Sequence, residues 1–202
     1  MNILEIFYSI QGEGKNQGRP AIFIRLAGCN LACNWCDTPG AHGEGSELSL
    51  SEIIGKIREF RCREICITGG EPLLQEAELL ELLRLLSSLG YHTGIETNGT
   101  IDFSRGQEYA TICMDVKCPS SGEESNLSLL GTITEQDSVK FVVGDERDCR
   151  YAEEVIMASC IRGEVFFSPV FGSDMNAIAS FVLEHGLPVR VQVQLHKILG
   201  VS

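Results

Sequence analysis

Basic residues are scarce in this chain: 16 Lys and Arg stand against 28 Asp and Glu among 202 residues, for a net charge of −12. Tracking a phosphate backbone takes clustered cations, so direct nucleic-acid binding is not expected; a place in a nucleic-acid pathway would mean handling a free small molecule. No apolar run approaches the roughly 20 residues that span a bilayer, so no membrane role is expected either. The opening residues lack the basic and apolar regions of a secretory signal. Nine cysteines is an odd number in a chain that is not small. A disulfide framework is therefore disfavoured, and a reducing, cytoplasmic setting fits the thiols. Internal repeats and low-complexity segments are absent as well. With 44% hydrophobic and 22% charged residues, the composition is that of a soluble globular protein, and residues 1–202 can form one domain around one core.

One more absence is local. Cys29, Cys33 and Cys36 stand at C-x3-C-x2-C spacing, after Gly28 and before Asp37 and Thr38, and the next cysteine is as far off as Cys62. Thiolates are the usual ligands of iron–sulfur clusters. A cubane held by three of them keeps one iron open to an exogenous ligand, much as a catalytic zinc keeps a free position. A structural zinc site built from Cys29, Cys33, Cys36 and His42 accounts for the same cysteines. Cys62, Cys66, Cys113, Cys149 and Cys160 read as small apolar core residues. Cys118 has no assignable role.

Along the chain, residues 5–14 end in a glycine-flanked polar pair, Gln11 and Glu13. These are either a solvated turn or an amide and a carboxylate placed to read the edge of a heterocycle. Residues 21–28 read as a buried strand delivering the cysteine loop. Arg25 within it needs an anionic partner, either an internal carboxylate or the acid group of a substrate. Ser49 and Glu52 form a capping box that opens a helix to about Phe60. Residues 64–70 form the next strand, whose Gly-Gly-Glu-Pro exit runs into a leucine-striped helix from Pro72 to Leu89, stopped by Gly90. Further strands are expected at 92–99, 111–117, 138–143 and 164–170. Helices are expected at 146–159 and after the N-cap Asp174, ending at Gly186. The alternation of residues 189–197 predicts a last strand. The final residue lies six positions past His196, which makes its carboxylate a candidate neighbour of the same site.

This alternation of strands and helices implies right-handed parallel βαβ units. A complete eight-fold barrel takes ~250 residues. The expected fold is therefore α/β, an incomplete TIM-like β/α barrel with a mostly parallel sheet of about six strands. Polar residues gather at the C-terminal strand ends, where parallel α/β architectures bind their ligands.

Cys-x3-Cys-x2-Cys after one strand and Gly-Gly-Glu-Pro after the next resemble the radical S-adenosylmethionine enzymes. Gln11-Gly12-Glu13-Gly14, Cys36-Asp37-Thr38, Glu96-Thr97-Asn98-Gly99 and Gln194-Leu195-His196-Lys197 are similar to the 7-carboxy-7-deazaguanine synthase family, a likeness that covers essentially the whole chain. The resemblance implies that Cys29, Cys33 and Cys36 hold a 4Fe–4S cluster whose open iron takes the amino and carboxylate groups of S-adenosyl-L-methionine. It places Trp35, Cys36, Asp37, Gly70, Glu71, Gly99, Lys117, Ser168, Pro169, Val170 and Phe171 against that cofactor. Thr38 is implied as the Mg2+ ligand. Ile10, Gln11, Gly12, Glu13, Arg25, Thr97 and His196 are implied to line a pterin pocket.

The implied reaction is the radical ring contraction of 6-carboxy-5,6,7,8-tetrahydropterin to 7-carboxy-7-deazaguanine with loss of ammonia, toward queuosine or archaeosine. A homodimer and a reductase such as flavodoxin or ferredoxin are implied as partners. In this scheme Glu13 pairs with the N–H groups of the aminopyrimidinone and Arg25 offsets the substrate carboxylate. Two other readings fit part of the pattern. One is a radical S-adenosylmethionine activase that places a radical on a partner protein; the other is a zinc-stapled binding module.

Overall fold

The computed structural model describes residues 1–201, and Ser202, with its carboxylate, lies outside the described residues. In chain order the elements are β1 (Asn2–Ile10), β2 (Pro20–Leu26), β3 (Ser46–Glu47), α1 (Leu50–Ile57), β4 (Glu64–Gly69), α2 (Glu76–Ser88) and β5 (His92–Thr97). They continue as β6 (Thr111–Val116), β7 (Ser138–Val143), α3 (Glu146–Ala158), β8 (Glu164–Pro169), α4 (Met175–His185), β9 (Arg190–Val191) and α5 (Leu195–Leu199).

Among the described residues one sheet of nine strands runs in the order β3-β1-β2-β4-β5-β6-β7-β8-β9. From β2 to β9 every pairing is parallel, while β1 pairs antiparallel with both β2 and β3. Among the described residues the two ends of the sheet do not pair, so the barrel is partial, as expected, but it has more strands than the six anticipated. Two strands were missed in the sequence: β1, whose residues are mostly only half-buried and so lack the apolar run of its neighbours, and β3, which at two residues is too short to show a pattern.

Strand alternation sorts side chains onto two faces. Ile22, Ile24, Leu26, Ile65, Ile67, Ile95, Ile112, Met114, Val139 and Phe141 face the helices and form the main core with the leucines of α2. The other face of the same strands carries Phe23, Arg25, Cys66, Thr68, Glu96, Asp115, Lys140 and Val142, which line a cavity inside the barrel. The inner wall is thus polar where the outer wall is apolar. The loop 11–19 crosses the open side of the barrel. Gly14 N donates to Gln192 Oε1 at 2.6 Å, Gln17 Nε2 to the Val193 carbonyl at 2.6 Å, and Leu195 N to the Gly12 carbonyl at 3.1 Å.

The helix signals hold. Ser49 and Glu52 make the capping box of α1, Asp174 caps α4, and Gly186 ends it in the left-handed conformation. The helix expected from Pro72 divides into a 3-10 turn, Pro72–Gln75, and α2. The last stretch departs from expectation. Only Arg190–Val191 pairs as a strand, because the Gln192 amide turns to the Gly14 backbone and the chain then coils into α5. Cys66, Cys113 and Cys149 are buried as expected of core residues, whereas Cys160 is exposed and Cys62 only partly covered.

Candidate active site

Two consecutive glycines set the mouth of the barrel. Gly69 has φ +141°, and a Cβ there would lie 2.2 Å from the Leu26 carbonyl oxygen; at Gly70 it would lie 2.0 Å from that of Gly28. Only glycine permits this approach. It lets Glu71 N donate to the Gly28 carbonyl at 2.8 Å, which ties the exit of β4 to the start of the cysteine loop. Cys29, Cys33 and Cys36 then line one cavity of about 390 Å³, within the roughly 300–1,000 Å³ usual for small-molecule sites.

The same cavity is lined by Ile10, Gln11, Gly12, Glu13, Arg25, Trp35, Asp37, Thr38, Gly70, Thr97, Lys117 and His196. Residues far apart in sequence and expected at one site are therefore brought together. Glu71, Gly99, Ser168, Pro169, Val170 and Phe171 do not line it. Glu71 is fully buried behind the wall. Its carboxylate accepts from Leu73 N at 3.0 Å, Thr97 Oγ1 at 2.9 Å and Asn98 N at 2.7 Å, so it positions the end of β5 and has its lone pairs largely committed. Burial pushes its pKa up, against the pull of these donors. Ser168 is equally buried and donates to Glu13 Oε1 at 2.5 Å. Phe171 is exposed on the rim, its ring 5.7 Å from Lys197 Nζ.

Arg25 has its internal carboxylate. Nε donates to Glu5 Oε1 at 2.7 Å, Nη1 donates to Thr38 Oγ1 at 3.2 Å, and the guanidinium sits 5.4 Å from the centre of the Phe7 ring. Glu13 has a partner that the sequence did not suggest. Its Oε2 is 2.9 Å from Nζ of Lys140, and although burial opposes ionisation, the Lys140 charge and the Ser168 bond hold its pKa down at about 2. Glu96, 3.6 Å from the same ammonium, is pushed the other way, by burial and by the charge of Glu13, with Lys140 opposing. Lys140, Glu96 and Asp115 are the site residues that sequence reasoning passed over. The available signal was a lysine and two acids at inward positions of otherwise apolar parallel strands.

On the rim, Lys117 pairs with Asp115 at 2.8 Å and lies 5.5 Å from the Trp35 ring centre. The Trp35 indole N–H donates to Ser120 Oγ at 2.9 Å. His196 Nε2 faces Asp37 at 3.8 Å, and burial lowers its pKa although Glu13 and Asp37 oppose that.

Three thiols on one cavity are the right donor chemistry for a cluster with one open iron, although among the described residues no three His, Cys, Asp or Glu side chains are gathered as they would be around a single metal ion. Cys33 is partly buried and Cys36 exposed at the cavity mouth. The fourth thiol of the lining, Cys66, lies three residues before Gly69, or about 10 Å deeper along the strand, where Gln11 Nε2 donates to its sulfur at 3.4 Å. Cys118 is fully buried, with its sulfur toward the Val116 carbonyl.

Residues 23–116 match the Radical SAM superfamily. The chain is 52% identical to a 7-carboxy-7-deazaguanine synthase of Methanospirillum hungatei over 99% of its own length and 86% of that protein. It belongs to the 7-carboxy-7-deazaguanine synthase family. A synthase of Thermoplasma acidophilum is 37% identical over 98% of this chain and 97% of that protein. The crystal structure of QueE from Escherichia coli superposes with a TM-score of 0.76 at 26% identity, over 96% of this chain and 94% of that one. Streptococcus suis SuiB bound to S-adenosylmethionine, at 14% identity and a TM-score of 0.56, shares the fold over 82% of this chain and 44% of its own. Family membership displaces both other readings, the activase and the zinc-stapled module. It also makes this chain a radical S-adenosylmethionine enzyme with a 4Fe–4S cluster. Among the described residues no helix is long and apolar enough to cross a membrane.

Proposed function

We propose that this chain converts 6-carboxy-5,6,7,8-tetrahydropterin to 7-carboxy-7-deazaguanine, with loss of ammonia, inside the cavity described. The observation that carries the reading is that three thiols share one chamber with a polar floor of Gln11, Glu13, Glu96 and Lys140. When bound, the cluster and S-adenosylmethionine supply the radical that starts the rearrangement. Cys29, Cys33 and Cys36 would hold the cluster, and the Gly69–Gly70 exit, packed on the backbone of Leu26 and Gly28, fixes where the cysteine loop begins. Trp35, Asp37 and Lys117 border the cofactor from the rim.

Gln11, Gly12 and Glu13 read the heterocycle edge. Glu13 keeps acceptor capacity there because an ionised carboxylate takes about four hydrogen bonds, and two are already filled. Arg25, steadied by Glu5, turns its guanidinium from Thr38 to the substrate carboxylate. Thr38 then offers its oxygen to magnesium, which favours hard oxygens and keeps several waters. His196, mostly neutral at pH 7, closes the pocket over Gly12. A flavodoxin or ferredoxin delivers the electron, and the working unit is a homodimer.

Anaerobic incubation with the carboxytetrahydropterin, S-adenosylmethionine, magnesium and a reductant tests this reading. A deazaguanine product and released ammonia support it. Deoxyadenosine without a deazaguanine product would contradict it.

A further inference from the structure

The floor of the cavity holds two carboxyl groups and one ammonium, and they are not used alike. Lys140, on β7, is buried and sits 2.9 Å from Glu13 Oε2 but 3.6 Å from Glu96 Oε2. Glu13 is anchored a second time by the Ser168 hydroxyl. Glu96 accepts a long bond from Gln11 Nε2 at 3.3 Å and has the weak Cys113 thiol donor beside it, while among the described residues its buried Oε2 has no partner within hydrogen-bond distance. An unsatisfied buried carboxylate oxygen is costly, whereas a protonated carboxyl needs less compensation in the same place. Other groups reach Glu96 from neighbouring elements: Cys66 on β4, and Cys113 and Asp115 on β6. Lys117, Arg25 and His196 stand around the same chamber. Behind Glu96 lies a second cavity of about 40 Å³, lined by Glu13, Glu96, Cys113 and Ser138 among others, large enough for a water.

We propose that Lys140 is a positioning residue that commits its charge to Glu13 and so leaves Glu96 holding a transferable proton against the substrate, with the rear cavity behind it. This rests on the pterin reading of the cavity. In the ammonia-releasing step, Glu96 gives its proton to the departing amino nitrogen. The C–N bond breaks with its electron pair going to nitrogen, and ammonia leaves. The adjacent ring carbon returns its proton to the Glu96 carboxylate as the ring double bond forms. No oxidant or reductant is consumed, and Glu96 ends the step protonated as it began.

Two readouts test this on the reconstituted enzyme. In kinetics, Glu96→Gln retains the KM for the pterin and lowers kcat about 10²–10⁴-fold, the usual worth of general acid–base catalysis. Lys140→Gln lowers kcat more than it raises KM, and Lys140→Arg restores most of it. In carbon-detected NMR of the folded protein, Glu13 and Glu96 titrate in separate steps, Glu96 at the higher pH. In Lys140→Gln both carboxyl signals follow the same steps, as a coupled pair does, while Lys140→Arg keeps them apart. Glu96→Gln at wild-type kcat, or a Lys140→Gln protein whose two carboxyls stay separate, overturns the inference. If wild-type enzyme makes no deazaguanine, the pterin reading fails on its own, and the NMR titration still decides what Lys140 does.

Discussion

The backbone of Gly12 lies directly against the His196 ring, so close that a Cβ at Gly12 would stand 1.9 Å from Nδ1. The loop after β1 meets the start of α5 there, because Leu195 N also donates to the Gly12 carbonyl at 3.1 Å. Gly12→Ala must push the imidazole out of place. The expected result is a KM for the pterin raised about tenfold, worth ~1.4 kcal/mol, with kcat changed less. Steady-state kinetics check it, and His196→Ala should reproduce most of the effect without the steric change.

Glu71 gives a stability prediction rather than a catalytic one. Glu71→Ala strands the Leu73 and Asn98 amides and the Thr97 hydroxyl behind the cavity wall. At about 1–3 kcal/mol for each buried group left without a partner, the variant should lose several kcal/mol of unfolding free energy, measured by urea denaturation. It should also turn over poorly, because Thr97 lines the cavity.

The acid side of the stability profile should carry the mark of Glu13. Its pKa is about 2 in the folded chain against an ordinary 4.5. The unfolded chain therefore binds the proton first as pH falls. The stabilisation is complete above about pH 4.5, shrinks below it, and is gone once the pH passes the folded value near 2. Glu96, raised instead of lowered, has the opposite sign, so the test is a difference. Wild type minus Glu13→Gln, followed by denaturant unfolding from pH 6 to pH 3, should narrow as acid is added.

Trp35 is the chain's one tryptophan and lines the cavity with its indole N–H on Ser120 and Lys117 near its face. Addition of S-adenosylmethionine should change its fluorescence. Ser120→Ala, which removes the indole's acceptor, should blunt that change more than it alters stability. A silent Trp35 on saturation with the cofactor would place the cofactor elsewhere.

Much of this was legible in the sequence because it was local. The cysteine spacing, the Gly-Gly exit and the capping residues of α1 and α4 are written in adjacent residues, and the structure places them accordingly. What was not legible depends on distant partners. Lys140 reads as one polar residue in a buried strand until the loop 11–19 brings Glu13 across the open side of the barrel. Glu71 looks like a cofactor contact from its motif, yet its oxygens are committed to Thr97, Asn98 and Leu73. Residues 189–197 alternate like a strand, but Gln192 accepting from Gly14 N and Gln17 of the facing loop donating to the Val193 carbonyl replace the ladder that pattern predicts. Tertiary hydrogen bonds outweighed the local pattern in each case.

The central claim is that three thiols, and only three, hold the cluster in this cavity. Iron and sulfide analysis of anaerobically reconstituted Cys→Ala variants tests it most directly. Replacing Cys29, Cys33 or Cys36 should each abolish the cluster and its visible absorption, while Cys66→Ala and Cys118→Ala retain both in wild-type amounts. Loss of the cluster on removing Cys66 or Cys118, or zinc in place of iron in the wild-type protein, would contradict the account.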